Sequence, residues 1–244
     1  MNETHQIIRS HRSIRAFVDE PLADETVEAI VACATAAATS SNVQATTVIR
    51  VRSAETRATI AEVAGGQTQI MTAGAFLVWC ADMRRASVAS ELAGIEAASG
   101  MTEHFIIATV DVALAGQNAV IAAESLGLGI CYIGAVRNDP QTVSDLLELP
   151  DNVYPVFGMC IGVPDQDPEV KPRLSQHVVL REEIYGEDDV AGIEEYDEAM
   201  AAYYASRSGG SRQATWSSEM AGLLGREGRP HMRQFLADRG FTMR

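Results

Sequence analysis

The feature that most constrains the fold of this chain is one long segment that has no polar face. From Thr102 to about Leu126 the sequence predicts a helix, which ends at Gly127. Apolar residues such as Phe105 and Leu114 point in several directions around its axis. Because a helix that is apolar nearly all round must be buried on all sides, we expect this one to be central. In a chain of 244 residues, a second subunit is one source of that cover.

The same segment is not expected to cross a membrane. Its apolar window contains Asp111, Gln117 and Asn118, and such polar groups are costly in hydrocarbon. The N-terminal sequence MNETHQIIRS lacks the apolar stretch of a secretory signal peptide. We therefore expect a cytoplasmic protein.

The net charge of the chain limits the classes of molecule that it is expected to bind. The chain carries a formal charge of -14 at pH 7, which argues against binding nucleic acid or anionic membranes through a broad surface patch. The negative net charge does not exclude a local basic pocket. Lys171 is the only lysine among 19 lysine and arginine residues. This is either chance or a sign that the position needs a compact ammonium rather than a flat guanidinium.

The cysteines give no sign of a metal site. Cys33, Cys80, Cys131 and Cys160 are scattered among apolar neighbours, and they form no C-x-x-C pair. We expect buried, reduced thiols, which suit a reducing cytoplasm, and no bound metal.

The order of the predicted elements indicates an α+β or α/β domain. Strands are predicted over residues 46–51, 75–81, 130–133 and 153–163. Helices outnumber these strands, and they include most of 82–102, then 190–206 and 215–240, with an extended arm over 164–189. The pattern favours a three-layer domain with a helical C-terminal extension.

Three short segments concentrate positive charge on this acidic chain. The first is His11-Arg12-Ser13-Ile14-Arg15, whose cations and hydroxyl can surround a phosphate. The second is Lys171-Pro172-Arg173, in which proline restricts the backbone between two cations. The third runs from Arg207 to Arg212, with glycines and serines between the arginines. Taken alone, each is more typical of a solvated loop, the first pairing with Asp19 and Glu20.

Several common catalytic and nucleotide-binding motifs do not occur in the sequence. There is no G-x-G-x-x-G and no G-x-x-x-x-G-K-[ST], so neither a Rossmann dinucleotide fold nor a P-loop is supported. There is also no G-x-S-x-G and no H-E-x-x-H, the motifs of many serine hydrolases and zinc proteases.

Six segments taken together resemble a known family. They are HRSIR, GGQ at 65–67, AAESLGLG at 122–129, YIGAVRN at 132–138, KPRL at 171–174 and the RSGGSR loop before Trp216. In this order they resemble the oxygen-insensitive NADPH nitroreductase and flavin reductase P group of the nitroreductase superfamily. The resemblance implies an α+β three-layer fold, with a central, mostly antiparallel sheet flanked by helices. It also implies a homodimer that binds two FMN molecules at its interface.

The resemblance further implies a set of cofactor-binding residues. His11, Arg12 and Ser13 would hold the FMN phosphate with Arg173, while Arg15 and Lys171 would lie by the pyrimidine edge of the flavin. Ser40, Ser41 and Gln67 would contact the ribityl chain or the ring. The ring face would be covered by Tyr132, Ile133, Gly134 and Ala135. Arg207 and Arg212 would bind NADPH, and Glu103 would lie near the open face; the chemistry itself would belong to FMN.

On this basis we divide the chain into two parts. Residues 1–163 would form the FMN-binding core. Residues 164–244 would form the extended arm and C-terminal helices that complete the same domain and the NADPH site.

The implied activity is a ping-pong, two-electron reduction of nitroaromatics, quinones or related small acceptors by NADPH. One alternative is an NADPH-flavin reductase that supplies reduced FMN to a partner. Another is a flavin-binding protein without efficient turnover. The partners expected are a second copy of the chain and small molecules, with no nucleic acid and no membrane.

Overall fold

The computed structural model describes residues 2–207 and 214–244. The chain divides into two compact units. The first comprises Met1–Pro168 with His231–Arg244, and the second comprises Glu169–Pro230.

The described residues form helices and four strands. In chain order the helices are α1 (Glu3–Arg9), α2 (Asp24–Thr35), α3 (Ala54–Val63), α4 (Gln69–Thr72), α5 (Arg84–Leu92), α6 (Thr102–Ser125), α7 (Pro140–Leu146), α8 (Gln176–Val179), α9 (Val190–Arg207), α10 (Trp216–Leu224) and α11 (Met232–Asp238). The strands are β1 (Thr46–Arg50), β2 (Ala75–Asp82), β3 (Gly129–Ile133) and β4 (Val153–Gly162). Helices α8, α9 and α10 lie in the second unit, and all other elements lie in the first.

The first unit is built on one antiparallel sheet with the strand order β1-β2-β4-β3. Every residue of β2 is buried, because helices cover both faces of the sheet. On one face Leu77 and Trp79 pack in a core with α2, α6 and α11. On the other face Phe76 and Val78 pack with α3, α4 and α7. The predicted three-layer α+β fold with an antiparallel sheet is confirmed.

Helix α6 has one buried side and one apolar side that the chain itself leaves exposed. Small residues, among them Ala108, Ala115 and Ala119, face α2 and the sheet. Ile106, Val110 and Leu114 are each 44–49% exposed. The helix is central as predicted, but the chain alone does not bury it on all sides. Its length and hydropathy would also suffice to cross a membrane, a property that core helices share.

The segment that carries His11-Arg12-Ser13-Ile14-Arg15 is fixed to the edge of the sheet. Ser13 forms a parallel bridge to Ile130 of β3, and the Ile14 N–H donates to the Ile130 carbonyl over 2.8 Å. A β-carbon at Gly129 would lie only 2.6 Å from Ile14 Cγ1. Glycine at this position therefore permits the close approach, and the cationic segment is not a free turn.

Two predicted helical stretches are shorter than the sequence indicated. The helix expected over 82–102 ends at Leu92, and Gly94 and Gly100 then adopt φ values of +77° and +71°, which interrupt a right-handed helix. The helix expected over 215–240 is two helices, α10 and α11. Between them Arg229 has a φ of +54° and Pro230 lacks an N–H.

One prediction about the cysteines is wrong. Cys33 lies on α2 and is exposed, whereas Cys80, Cys131 and Cys160 are buried. The buried residues of α2 are Val27, Ile30 and Ala34, which follow helical spacing, and Cys33 lies off this stripe. Burial raises the pKa of Cys80 to about 12, so this thiol stays protonated at neutral pH.

Candidate functional site

Two side chains of the N-terminal segment contact carboxylates from distant parts of the first unit. His11 Nδ1 lies 2.6 Å from Glu124 Oε1 near the end of α6. Arg12 Nη2 donates to Asp167 Oδ1 over 2.7 Å, and its Nη1 donates to the Ser10 carbonyl over 3.1 Å. The partners are therefore not Asp19 and Glu20, as the solvated-turn interpretation supposed.

Arg12 retains an unused donor beside a cavity. Its Nε is buried and has no hydrogen-bond partner among the residues that the structure describes. The cavity measures about 140 Å³. It is lined by Ser10, Arg12, Ile14, Glu124, Gly127, Leu128, Gly129 and Pro164. A buried donor without an acceptor is costly, and a phosphate oxygen is an acceptor of the required kind.

A polar loop before β1 is anchored to α6 by a buried carboxylate. Asp111 of α6 is 1% exposed, and it accepts hydrogen bonds from the Ser40 N–H over 3.2 Å and the Ala45 N–H over 3.0 Å. Between these two anchors, Ser41, Asn42 and Gln44 have φ values of +47°, +57° and +54°. The side chains of Ser40 and Ser41 remain exposed. The loop thus presents hydroxyl groups outward from a fixed backbone.

Gln67 is oriented by a network of amides. Its Nε2 donates to the Ala64 carbonyl over 3.2 Å, and its Oε1 accepts from buried Gln69 over 2.7 Å. Gly65 and Gly66, immediately before it, have φ values of +78° and +81°. Only glycine adopts such values readily, so the GGQ motif makes the turn that places Gln67.

The segment from Tyr132 to Ala135 forms the end of β3 and the start of a 3₁₀ turn over Gly134–Asn138. The Ile133 side chain is fully buried in the core. Tyr132 is half-buried, and its ring packs edge-on against Phe157 with centroids 4.8 Å apart. Burial, together with the charge of Glu124, raises the pKa of Tyr132, so its hydroxyl stays neutral.

In the second unit, Lys171 belongs to a cluster with a tyrosine and a glutamate. Its Nζ donates to the Tyr204 hydroxyl over 3.0 Å and lies 3.7 Å from Glu219 Oε2. Burial lowers the pKa of Lys171, but the Tyr204 hydrogen bond and the Glu219 charge outweigh it, and the net pKa is raised. The Tyr204 hydroxyl in turn donates to Glu219 Oε1 over 2.9 Å. Lys171 is therefore charged and ordered at neutral pH.

The remaining predicted positions are more exposed. Arg15, Arg173 and Glu103 lie at the surface of the chain. Arg207 is also exposed, and its Nη1 donates to the Tyr203 hydroxyl over 3.1 Å. Arg212 lies outside the described residues.

Sequence reasoning missed the residues that orient the predicted ones. They are Asp111, Glu124, Asp167, Tyr204 and Glu219. Glu124 does occur within the AAESLGLG motif. Asp111 could have been singled out because it is the charged residue within the apolar window of residues 105–123.

The described residues contain no group of three or more histidine, cysteine, aspartate or glutamate side chains placed to hold a metal ion. What the first unit does offer is a fixed cationic segment with an unused donor, and a polar loop of fixed backbone. The cationic segment can bind an anionic group such as the phosphate of FMN, and the polar loop can bind hydroxyl groups such as those of a ribityl chain.

Comparison with known proteins identifies the family of the chain. Residues 8–163 match the Nitroreductase family, and residues 171–244 match the Nitroreductase family, C-terminal domain. The chain is 42% identical over 244 residues to an NADPH-flavin oxidoreductase of Vibrio harveyi, with 100% of both chains covered. It is 39% identical over 244 residues to an oxygen-insensitive NADPH nitroreductase of Salmonella typhimurium, again with 100% of both covered.

A solved structure shows the same fold. The structure of B. megaterium NfrA1 superposes with a TM-score of 0.95 at 43% identity, covering 98% of this chain and 99% of that one. Since the two family matches together span most of the sequence, the chain belongs to the Nitroreductase family.

Proposed function

We propose that this protein is an FMN-dependent NADPH oxidoreductase that reduces small acceptors by two electrons in a ping-pong cycle. The observation that carries the proposal is the N-terminal segment, where Arg12 combines an unused buried donor with a fixed backbone beside a cavity. The names of the full-length relatives, an NADPH-flavin oxidoreductase and an NADPH nitroreductase, support the same chemistry.

The phosphate of FMN would be held by the N-terminal segment. His11, Arg12 and Ser13 offer an imidazole, a guanidinium and a hydroxyl on one fixed stretch. Arg173 would add a second guanidinium, which suits the paired oxygens of a phosphate. The exposed Asp167 is a weak partner for Arg12, so a doubly charged phosphate can displace it.

The remainder of FMN would be bound by a further set of polar groups. Ser40, Ser41 and Gln67 would bind the ribityl chain or the ring. Arg15 and Lys171 would supply positive charge near the pyrimidine edge, and the segment Tyr132, Ile133, Gly134 and Ala135 would cover one ring face. When bound, FMN supplies the hydride-accepting and electron-donating chemistry. The role of the protein is to bind, orient and exclude water.

NADPH would be bound by two arginines, of which Arg207 ends α9. Arg207 and Arg212 would clamp its phosphate, since guanidinium groups bind phosphate through paired hydrogen bonds. Glu103, exposed in the first turn of α6, would lie near the acceptor side. In this proposal residues 1–163 are the FMN-binding core, and 164–244 complete the same domain and the NADPH site.

The acceptors proposed are nitroaromatics, quinones or related small molecules. The name of the V. harveyi relative, an NADPH-flavin oxidoreductase, favours a second candidate, in which free flavin is the acceptor. In that case the reduced FMN would be supplied to a partner. A flavin-binding protein without efficient turnover is the third. Localisation in the cytoplasm is proposed for all three.

A homodimer is proposed from the exposed side of α6. Ile106, Val110 and Leu114 are spaced four residues apart, so they form one apolar stripe on the helix. A second copy of the chain would remove this stripe from water.

The first experiment is a visible absorption spectrum of the purified protein before and after anaerobic addition of NADPH. We expect a yellow protein that bleaches, because bound flavin accepts the hydride. Yellow protein that does not bleach would favour the binding-only candidate. Protein that takes up no added FMN would contradict the proposal. Steady-state rates with FMN against a quinone then separate the two reductase candidates.

Arg12→Ala tests the phosphate site. Charge-assisted hydrogen bonds contribute about 1.5–3 kcal/mol, so FMN affinity should fall roughly ten- to a hundredfold. The measurement is a titration of flavin fluorescence quenching. Arg84→Ala is the charge-matched control, since Arg84 lies exposed on α5 of the same unit. Equal FMN affinities of the two variants would show that Arg12 does not bind the FMN phosphate.

Val110→Asp tests the dimer. A carboxylate in the middle of the apolar stripe should turn dimers into monomers, measured as molar mass by light scattering after gel filtration. Leu92→Asp is the control, because Leu92 is 85% exposed at the end of α5. A dimer that survives Val110→Asp unchanged would place the interface elsewhere.

A further inference from the structure

We propose that Asp111 is a positioning residue that holds the loop of residues 39–45 in the conformation that receives the flavin. The inference deepens the proposed function and rests on it. Asp111 touches neither cofactor nor substrate in this proposal; it acts through the backbone of the loop.

The geometry of the carboxylate is specific. Its two oxygens bind separate partners: Oδ1 accepts from the Ser40 N–H at the start of the loop, and Oδ2 accepts from the Ala45 N–H at its end. The side chain is buried in the first unit, where an ionised group needs such partners. An asparagine could accept only one of these bonds, because its amide nitrogen would face the other N–H.

The loop needs such an anchor. Ser41, Asn42 and Gln44 all have positive φ, which residues with a β-carbon adopt at a cost. Hydrogen bonds within the loop support this shape: the Gln44 N–H donates to Thr39 Oγ1 over 3.3 Å, and the Val43 N–H donates to the Ser40 carbonyl over 2.9 Å. These bonds do not tie the loop to the rest of the unit. Near its end, Arg85 Nη1 donates to the Gln44 carbonyl over 3.1 Å and the Asp82 N–H donates to the Ala45 carbonyl over 3.0 Å. The Asp111 carboxylate ties both the start and the end of the loop to α6.

The direction of the side chains indicates a role beyond stabilising a turn. The backbone of the loop is anchored inward, while Ser40, Ser41 and Asn42 are exposed. A loop with no role other than to connect α2 to β1 could relieve the positive φ values with glycine. This loop instead keeps polar side chains at those positions. Polar side chains at these positions are expected where their hydroxyl and amide groups bind a polar ligand.

Loss of the anchor should weaken FMN binding by lowering the population of the receptive loop. Apparent affinity falls in proportion to the fraction of molecules in the binding conformation. A loop that spends a tenth of its time in that conformation would bind FMN about tenfold more weakly.

The test compares Asp111→Asn with Ser144→Ala, a buried control on α7 whose Oγ donates to the Pro140 carbonyl in the same unit. FMN affinity, the melting temperature of the FMN-free protein, and hydrogen exchange of the Ser40 and Ala45 amides are measured. We expect Asp111→Asn to lose about tenfold in affinity and to lose protection at one of these two amides, the one that faces the asparagine nitrogen, with a melting temperature close to that of Ser144→Ala. Wild-type affinity despite lost protection would overturn the inference. So would affinity and melting temperature falling together in both variants.

A measurement on the unmutated protein covers the case in which Asp111→Asn does not fold. In FMN-free wild type the Ser40 and Ala45 amides should already be protected from exchange. Free exchange there would show that no anchor exists and would overturn the inference. Failure of the proposed function is separate, because it would appear as no FMN uptake by a wild-type protein whose two amides are protected. That result would overturn the role in flavin binding as well.

Discussion

The close packing of α6 on the sheet is the contact from which the candidate site is built. The helix packs closely on the sheet because its contact residues, Ala108, Ala115 and Ala119, are small. Polar side chains elsewhere on the helix contact the segments beside it. Asp111 binds both ends of the loop over 39–45, and Glu124 binds His11. The same helix carries the exposed apolar stripe. One helix thus connects the core, the two segments of the proposed flavin site and the proposed subunit contact.

Four of the predicted anion-binding residues, His11, Arg12, Lys171 and Arg207, contact carboxylate or hydroxyl groups of the chain itself. The Glu124 side chain, which orients His11, is only 14% exposed. The Asp167 side chain, which contacts Arg12, is 86% exposed. Exposed ion pairs contribute about 0–1 kcal/mol, so Arg12 can exchange Asp167 for a phosphate at little cost. Lys171 is held by Tyr204 and Glu219. These pairings orient His11, Arg12 and Lys171.

Much of the architecture could be predicted from local patterns. The continuous apolar run of β2 and the length of α6 follow directly from hydrophobic periodicity, and the turn before Gln67 follows from two glycines. The residues that orient the site could not be predicted in this way. Glu124 is 113 positions from His11, and Asp167 is 155 from Arg12. Such pairs arise from tertiary packing, on which spacing along the chain carries no information.

The most direct test of this account is a crystal structure of the protein grown with FMN. The account predicts the FMN phosphate within hydrogen-bond distance of the segment from His11 to Ser13. It also predicts that Ser40 or Ser41 binds the flavin while Asp111 still accepts from the Ser40 and Ala45 N–H groups. A flavin bound away from both segments, or a loop that leaves Asp111 when FMN binds, would contradict it.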